Sequence, residues 1–322
     1  MNDIINNYLV DKKIIINDIS KNVYINKKID IIYIINLKSN YLRAKYIEIL
    51  MKKFNINYTL IQVEKPNDNI YKNVIKLSKP NSKLMNYGEV GCYLSHMWCL
   101  NDLIKNGYRK GIIFEDVIIH KDFNIFIKNV LDGVIYDFLM LGTADHAVKQ
   151  NYKLIKNHIY IPKFGPIMGT HAILYSSIGA RCLFNYRLKY PVYFDKNLKE
   201  IFEFFGTNKT GICHPNLFTV ENSTSNLGHD FGIRKYPYND YYYKSCYIDF
   251  KFTDYHFIYL DLFTKNNRET LELINTSSEE LIYSLLKNYF KNNIDLVNYH
   301  YKKLSIDFIN IDELKELLYF RK

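Results

Sequence analysis

No stretch of this chain approaches the roughly 20 consecutive apolar residues that a membrane-spanning helix needs, although 48% of its 322 residues are hydrophobic. Met1 to Lys28 alternate Ile with Asn, Asp and Lys and lack the continuous apolar core of a secretion signal. A soluble, cytoplasmic protein is expected, with peripheral membrane contact left open. Cysteine is scarce and odd in number: the five are Cys92, Cys99, Cys182, Cys213 and Cys246. Their scatter argues against a disulfide framework and for a reducing compartment. Dense Lys/Arg blocks and Arg-rich helices are missing, so a net charge of +10 gives only weak support to a basic nucleic-acid-binding protein, which stays a second alternative. That charge attracts phosphate in general, or reflects the Lys-, Asn- and Ile-heavy composition of an AT-rich genome. No internal repeat is visible. Helix breakers also stop early: the last proline is Pro237 and the last glycine Gly232.

What remains is enough for one large domain with a substantial core. Asp30 to Leu37 is a short β-branched run of the kind buried on both faces of a parallel sheet. A polar turn at Lys38-Ser39-Asn40 precedes an expected helix from Tyr41 to Phe54, and Tyr58 to Val63 reads as a second strand. This β-α-β opening predicts an α/β fold with a mostly parallel, Rossmann-type sheet flanked by helices. Glu64 to Ser82 reads as loop. Tyr87 to Lys105 reads as a helix stopped by Asn106-Gly107. Strands are expected at Gly111–Phe114, Phe138–Leu141 and His171–Tyr175, with a helix starting at Ser176. Beyond Pro237, apolar residues at helical spacing in 279–290 and 312–320 predict a helical extension. The expected division is an N-terminal extension over 1–29, a sheet domain over 30–235 and a helical extension over 236–322.

Two patterns carry chemistry. Ile112-Ile113-Phe114-Glu115-Asp116 ends a buried strand on two adjacent acids. Such a pair is costly to bury without partners, and ligands of open α/β sheets bind at that end of the strands. The acids either hold a divalent cation against a diphosphate or serve as a helix cap and a solvated carboxylate. On the helix before that strand, Val90, Tyr93, Leu94, Met97, Leu100 and Ile104 form a core stripe. Cys92, Ser95, His96 and Cys99 form a second, small and polar face. Cys92, His96 and Cys99 could ligate zinc, but no fourth Cys or His lies nearby. Tight packing with His96 beside a pocket is the better reading.

Together these segments resemble glycosyltransferase family 25, which includes bacterial lipopolysaccharide sugar transferases and procollagen galactosyltransferases. Ile34-Ile35-Asn36-Leu37 followed by Arg43 resembles the family's opening block. Gly88 to His96 resembles its "GE-GC-LSH" block. Glu115-Asp116 stands where the family has an acidic metal motif. Asp137 to Gly142, Gly169 to Ala180 and Pro191 to Asp195 resemble three further blocks, in the family's order.

The resemblance implies a GT-A-like fold, a UDP-sugar donor (galactose or glucose favoured) and a glycan or glycoprotein acceptor; no nucleic-acid partner is expected. It implies Asn36, Leu37, Arg43, Glu89, Ser95, His96 and Asp116 near the donor nucleotide. Asp116, Glu115 and His229 become candidate ligands for Mn2+ or Mg2+, and Asp195 and Glu115 candidate catalytic acids. One departure matters: Val117 stands where the family has a third acid. Asp116 could then act with His229 or Asp230, lysines could hold the diphosphate without metal, or the chain could bind without turnover. If Val117 marks a lost ligand, Val117→Asp should raise metal affinity.

Overall fold

The structure is a computed structural model that describes residues 1–219 with interruptions, chiefly at 18–22, 79–84, 143–152, 162–168 and 195–200, and beyond these only Ile294 and Asp295. The elements are α1 (Asn2–Tyr8), β1 (Asp11–Ile15), α2 (Tyr24–Lys28), β2 (Ile31–Leu37), α3 (Tyr41–Lys53), β3 (Tyr58–Val63), α4 (Asp68–Leu77), α5 (Tyr87–Lys105) and β4 (Lys110–Phe114). They continue with β5 (Ile118–Ile119), α6 (Phe123–Leu131), β6 (Phe138–Gly142), β7 (Lys153–Lys156), β8 (Ile159–Ile161), β9 (Ala172–Ser176), α7 (Ser177–Lys189), β10 (Thr210–Cys213) and β11 (Phe218–Thr219). The helices expected over 236–322 and the loop 162–168 lie outside the described residues.

Nine strands form one mixed sheet in the order β1-β3-β2-β4-β9-β6-β10-β8-β7. The β3–β2, β2–β4 and β6–β10 pairings are parallel. Six of the nine strands point one way, and β1, β8 and β9 run against them. The fold is α/β, as the opening β-α-β unit predicts.

Strand alternation sorts the core into two layers. Ile32, Ile34, Ile112 and Phe114 pack with α2, α3 and α6 on one face. Tyr33, Ile113, Met140 and Ile173 pack with α1, α5 and α7 on the other. Because β2 leads to β3 on one side and lies beside β4 on the other, its carboxyl end sits at a topological switch point, the usual ligand crevice of such sheets.

One sequence expectation changes. The stretch 64–82 is not all loop: α4 occupies Asp68–Leu77, and its start is fixed by Asn67, whose side chain accepts from the Ile70 amide at 2.9 Å. Val74 supplies the buried side of that helix, a signal hidden among polar neighbours and two flanking prolines. Within 1–29, read as an extension, the described residues form α1, β1 and α2. Helix α1 buries Ile5 and Tyr8 against α5, and β1 pairs antiparallel with β3. Helix α5 begins on a full capping box, Asn86 with Glu89, and ends where Gly107 turns to φ 68°.

Candidate active site at the carboxyl ends of the strands

Glu115 is the first residue after β4, and its amide donates to the His171 carbonyl at 3.0 Å. The side chain turns toward α5. There Cys92 and His96, one helical turn apart, both meet it: His96 Nε2 lies 2.7 Å and Cys92 Sγ 3.5 Å from Glu115 Oε1. The Thr170 hydroxyl donates to the same oxygen at 2.7 Å. Since an ionised carboxylate only accepts, His96 Nε2 carries the proton in this contact. The antiparallel course of β9 is what brings Thr170 and His171 here, because its amino end lies beside the carboxyl end of β4.

The surroundings hold this group rigidly. His96 is fully buried, its ring stacked on Phe194 with centroids 4.3 Å apart. Phe194 is in turn fixed by Arg187, whose Nη2 donates to the Phe194 carbonyl at 3.1 Å, and Tyr93 donates to the Arg187 carbonyl at 2.8 Å. Burial raises the Glu115 carboxyl, but the hydrogen bond and charge of His96 and the Thr170 hydroxyl outweigh it and hold the group at about 2. Its side chain keeps 29% of its exposure, so this is a partly open anion at the carboxyl ends of the strands. Burial pushes His171 down to about 4 despite the nearby Glu115 charge.

Other expected site residues fall elsewhere. Asn36 is buried at the end of β2 on the face shared with Ile32 and Ile34. Its amide donates to the Leu37 and Asn40 carbonyls at 2.8 and 3.2 Å, holding the turn into α3, while Oδ1 is buried with no partner among the described residues. Leu37 ends β2 half-buried. Arg43 lies in the first turn of α3, with its side chain outside the described residues. Glu89 completes the α5 capping box, accepting from the Asn86 amide at 2.7 Å. Ser95 donates to the Gly91 carbonyl at 2.7 Å within α5. Both therefore support the helix. Asp116, Asp195, His229 and Asp230 lie outside the described residues.

The described residues offer one group that could hold a metal. Ligand atoms of Cys92, His96 and Glu115 lie within 4.8 Å of one another. Cys99 is not part of that group; it is buried in the layer with Tyr33 and Leu100. A thiol, an imidazole and one carboxylate suit zinc better than Mn2+ or Mg2+, which take oxygen ligands. Glu115 is the only acid in that group, and three protein donors already occupy its Oε1, so these residues do not fit a hard cation. Val117 is 1% exposed and packs with Ile112, Phe114, Ile119 and Phe123. A third acid here would enter the core, so Val117 is a packing residue and not a lost ligand.

Thr170, His171, Phe194 and Arg187 join the site without having been singled out for it, and Cys92, considered above as a zinc ligand with Cys99, joins it as a partner of Glu115. The i,i+4 spacing of Cys92 and His96 was visible; the direction of β9 was not. Other recognisable segments prove structural. The Ser176 hydroxyl donates to Asp137, the Gly179 amide donates to Ser176 Oγ at 3.0 Å, and a Cβ on Gly179 would lie 1.8 Å from the Asp137 carbonyl oxygen. These residues clasp α7 onto β6.

The model of glycosyltransferase family 25 (LPS biosynthesis protein) matches residues 29–198. No curated protein matches the chain. Among the described residues no helix is long and apolar enough to cross a membrane. The matched span takes in β2, α5, Glu115, Thr170 and Phe194 and exceeds half of the chain, and on that match this protein belongs to glycosyltransferase family 25.

Proposed function

We propose that this protein transfers galactose or glucose from a UDP-sugar to a hydroxyl of a glycan or glycoprotein, in a GT-A-like crevice at the carboxyl ends of β2 and β4. The observation that carries this reading is a pre-organised, ionised carboxylate, Glu115, at the switch point of a family 25 sheet. The nucleotide lies over Asn36, Leu37 and the first turn of α3, where Arg43 is offered to the diphosphate. The acceptor oxygen attacks the anomeric carbon, the bond from that carbon to the diphosphate oxygen breaks, and UDP leaves. The acceptor proton passes to a base, for which Asp195 is proposed. A Mn2+ or Mg2+ ion, were it held by Asp116 with His229, would neutralise charge on the leaving diphosphate.

The rival reading, binding without turnover, drew on Val117 as a missing acid, and the burial of Val117 removes that support. Release of UDP from UDP-galactose and UDP-glucose, with Mn2+ and with a chelator, tests the proposal. Release from at least one donor is expected. Thermal stabilisation by UDP with no release from either sugar would favour the binding-only reading. No response to any of the three ligands would sink both.

A further inference from the structure

We infer that Glu115 accepts a hydrogen bond from a hydroxyl of the donor hexose, with Thr170 and His96 as its positioning residues, and does not ligate a cation. This inference rests on the sugar-transfer reading above. Oε1 is committed to the protein: His96 Nε2 and Thr170 Oγ1 each lie 2.7 Å away and Cys92 Sγ 3.5 Å. Oε2 has no donor among the described residues, and the side chain keeps 29% of its exposure. One oxygen is pinned while the other is free to accept.

The chemistry of the ligand follows from charge. The donor has an anionic half, the diphosphate, and a neutral half rich in hydroxyl donors. A carboxylate already stabilised by three protein donors repels the first and matches the second. A cation on this carboxylate would have Oε2 alone, because the hydrogens of three donors surround Oε1. With Oε1 pinned by protein donors and Oε2 open, the carboxylate is placed to meet a hydroxyl hydrogen. It is therefore suited to accept a hydrogen bond, and its fixed position lets it select the hydroxyl it meets.

The test compares binding of UDP with that of UDP-galactose and UDP-glucose to the full chain by calorimetry, with Mn2+ present. The wild type should bind one UDP-hexose more tightly than UDP. Glu115→Gln, which keeps the shape, should weaken that UDP-hexose by about ten- to a hundredfold, the range of one charged hydrogen bond, and leave UDP within a factor of about two. Thr170→Val should weaken the same UDP-hexose selectively, and Thr170→Ser should restore it, a rescue that a loss of packing would not give. Equal weakening of UDP and UDP-hexose in Glu115→Gln would place the residue on the diphosphate side and overturn the assignment. So would unchanged binding of both, or a stoichiometric zinc that Cys92→Ser and Glu115→Gln release. Failure of the wild type to bind any UDP-hexose would instead overturn the sugar-transfer reading.

Discussion

Val117 and Glu115 stand two positions apart and face different worlds. Val117 is enclosed by the layer that holds Phe114 and Ile119, whereas Glu115 looks across at α5. Val117→Asp should therefore cost on the order of 3 kcal/mol of stability, because it buries a charge without a partner. Chemical denaturation measures the loss. A stable variant with tighter Mn2+ binding would show that position 117 faces the crevice after all. The acid limb of stability has its own residue-level origin. The unfolded chain takes up the His171 proton below about 6.5, and the folded one resists until about 4. The stability that His171 contributes at neutral pH falls between those values and then levels off. The contribution of Glu115 is complete above about 4.5 and is lost as pH falls toward 2. The melting temperature should decline from pH 7 to 3, and His171→Gln should flatten the upper part of that decline. A wild-type melting temperature constant from pH 7 to 4 would contradict this. The strand-end position of Glu115 and the i,i+4 pair Cys92 and His96 were legible in the sequence. Their meeting was not, since it depends on the distance between a helix and a strand that no local pattern encodes.

At the scale of elements, the sequence was most readable where a helix or strand declares its own ends. Helix α5 has Asn86 and Glu89 at its start and Gly107 after its end, and β2 is an unbroken β-branched run. Helix α4 was hidden because its polar residues and flanking prolines read as loop, and its Asn67 cap was the overlooked signal. Several residues resembling the family's blocks turn out to join elements to one another. Gly179 lies where α7 crosses β6, so close that a Cβ would meet backbone atoms of Asp137, which cannot give way as a flexible side chain can. Gly179→Ala should lower stability by about 1–3 kcal/mol through overpacking, read by urea denaturation, and should lower donor turnover only in proportion to the unfolded fraction. A neutral effect on stability would mean that α7 sits farther from the sheet.

At the scale of the whole molecule, the order of strands decides what the site is. The β-α-β opening predicted an α/β sheet, and the parallel trio β3-β2-β4 bears it out. The reversal of β9 could not be read locally, because strand direction is set by the crossovers that precede it, and residues 143–168 carry no strong pattern. That reversal delivers Thr170 to the lip where β4 delivers Glu115. The pairing of β1 with the edge of β3 likewise depends on a long-range register that Asp11 to Ile15 alone does not specify. The crevice at the carboxyl ends of β2 and β4 is thus a product of topology, furnished by residues far apart in the chain. A crystal structure of the full chain with UDP-galactose or UDP-glucose tests this account most directly. It should place the diphosphate at the carboxyl ends of β2 and β4, with a hexose hydroxyl within about 3 Å of Glu115. A nucleotide bound at the opposite end of the strands, or a hexose out of reach of Glu115, would contradict it.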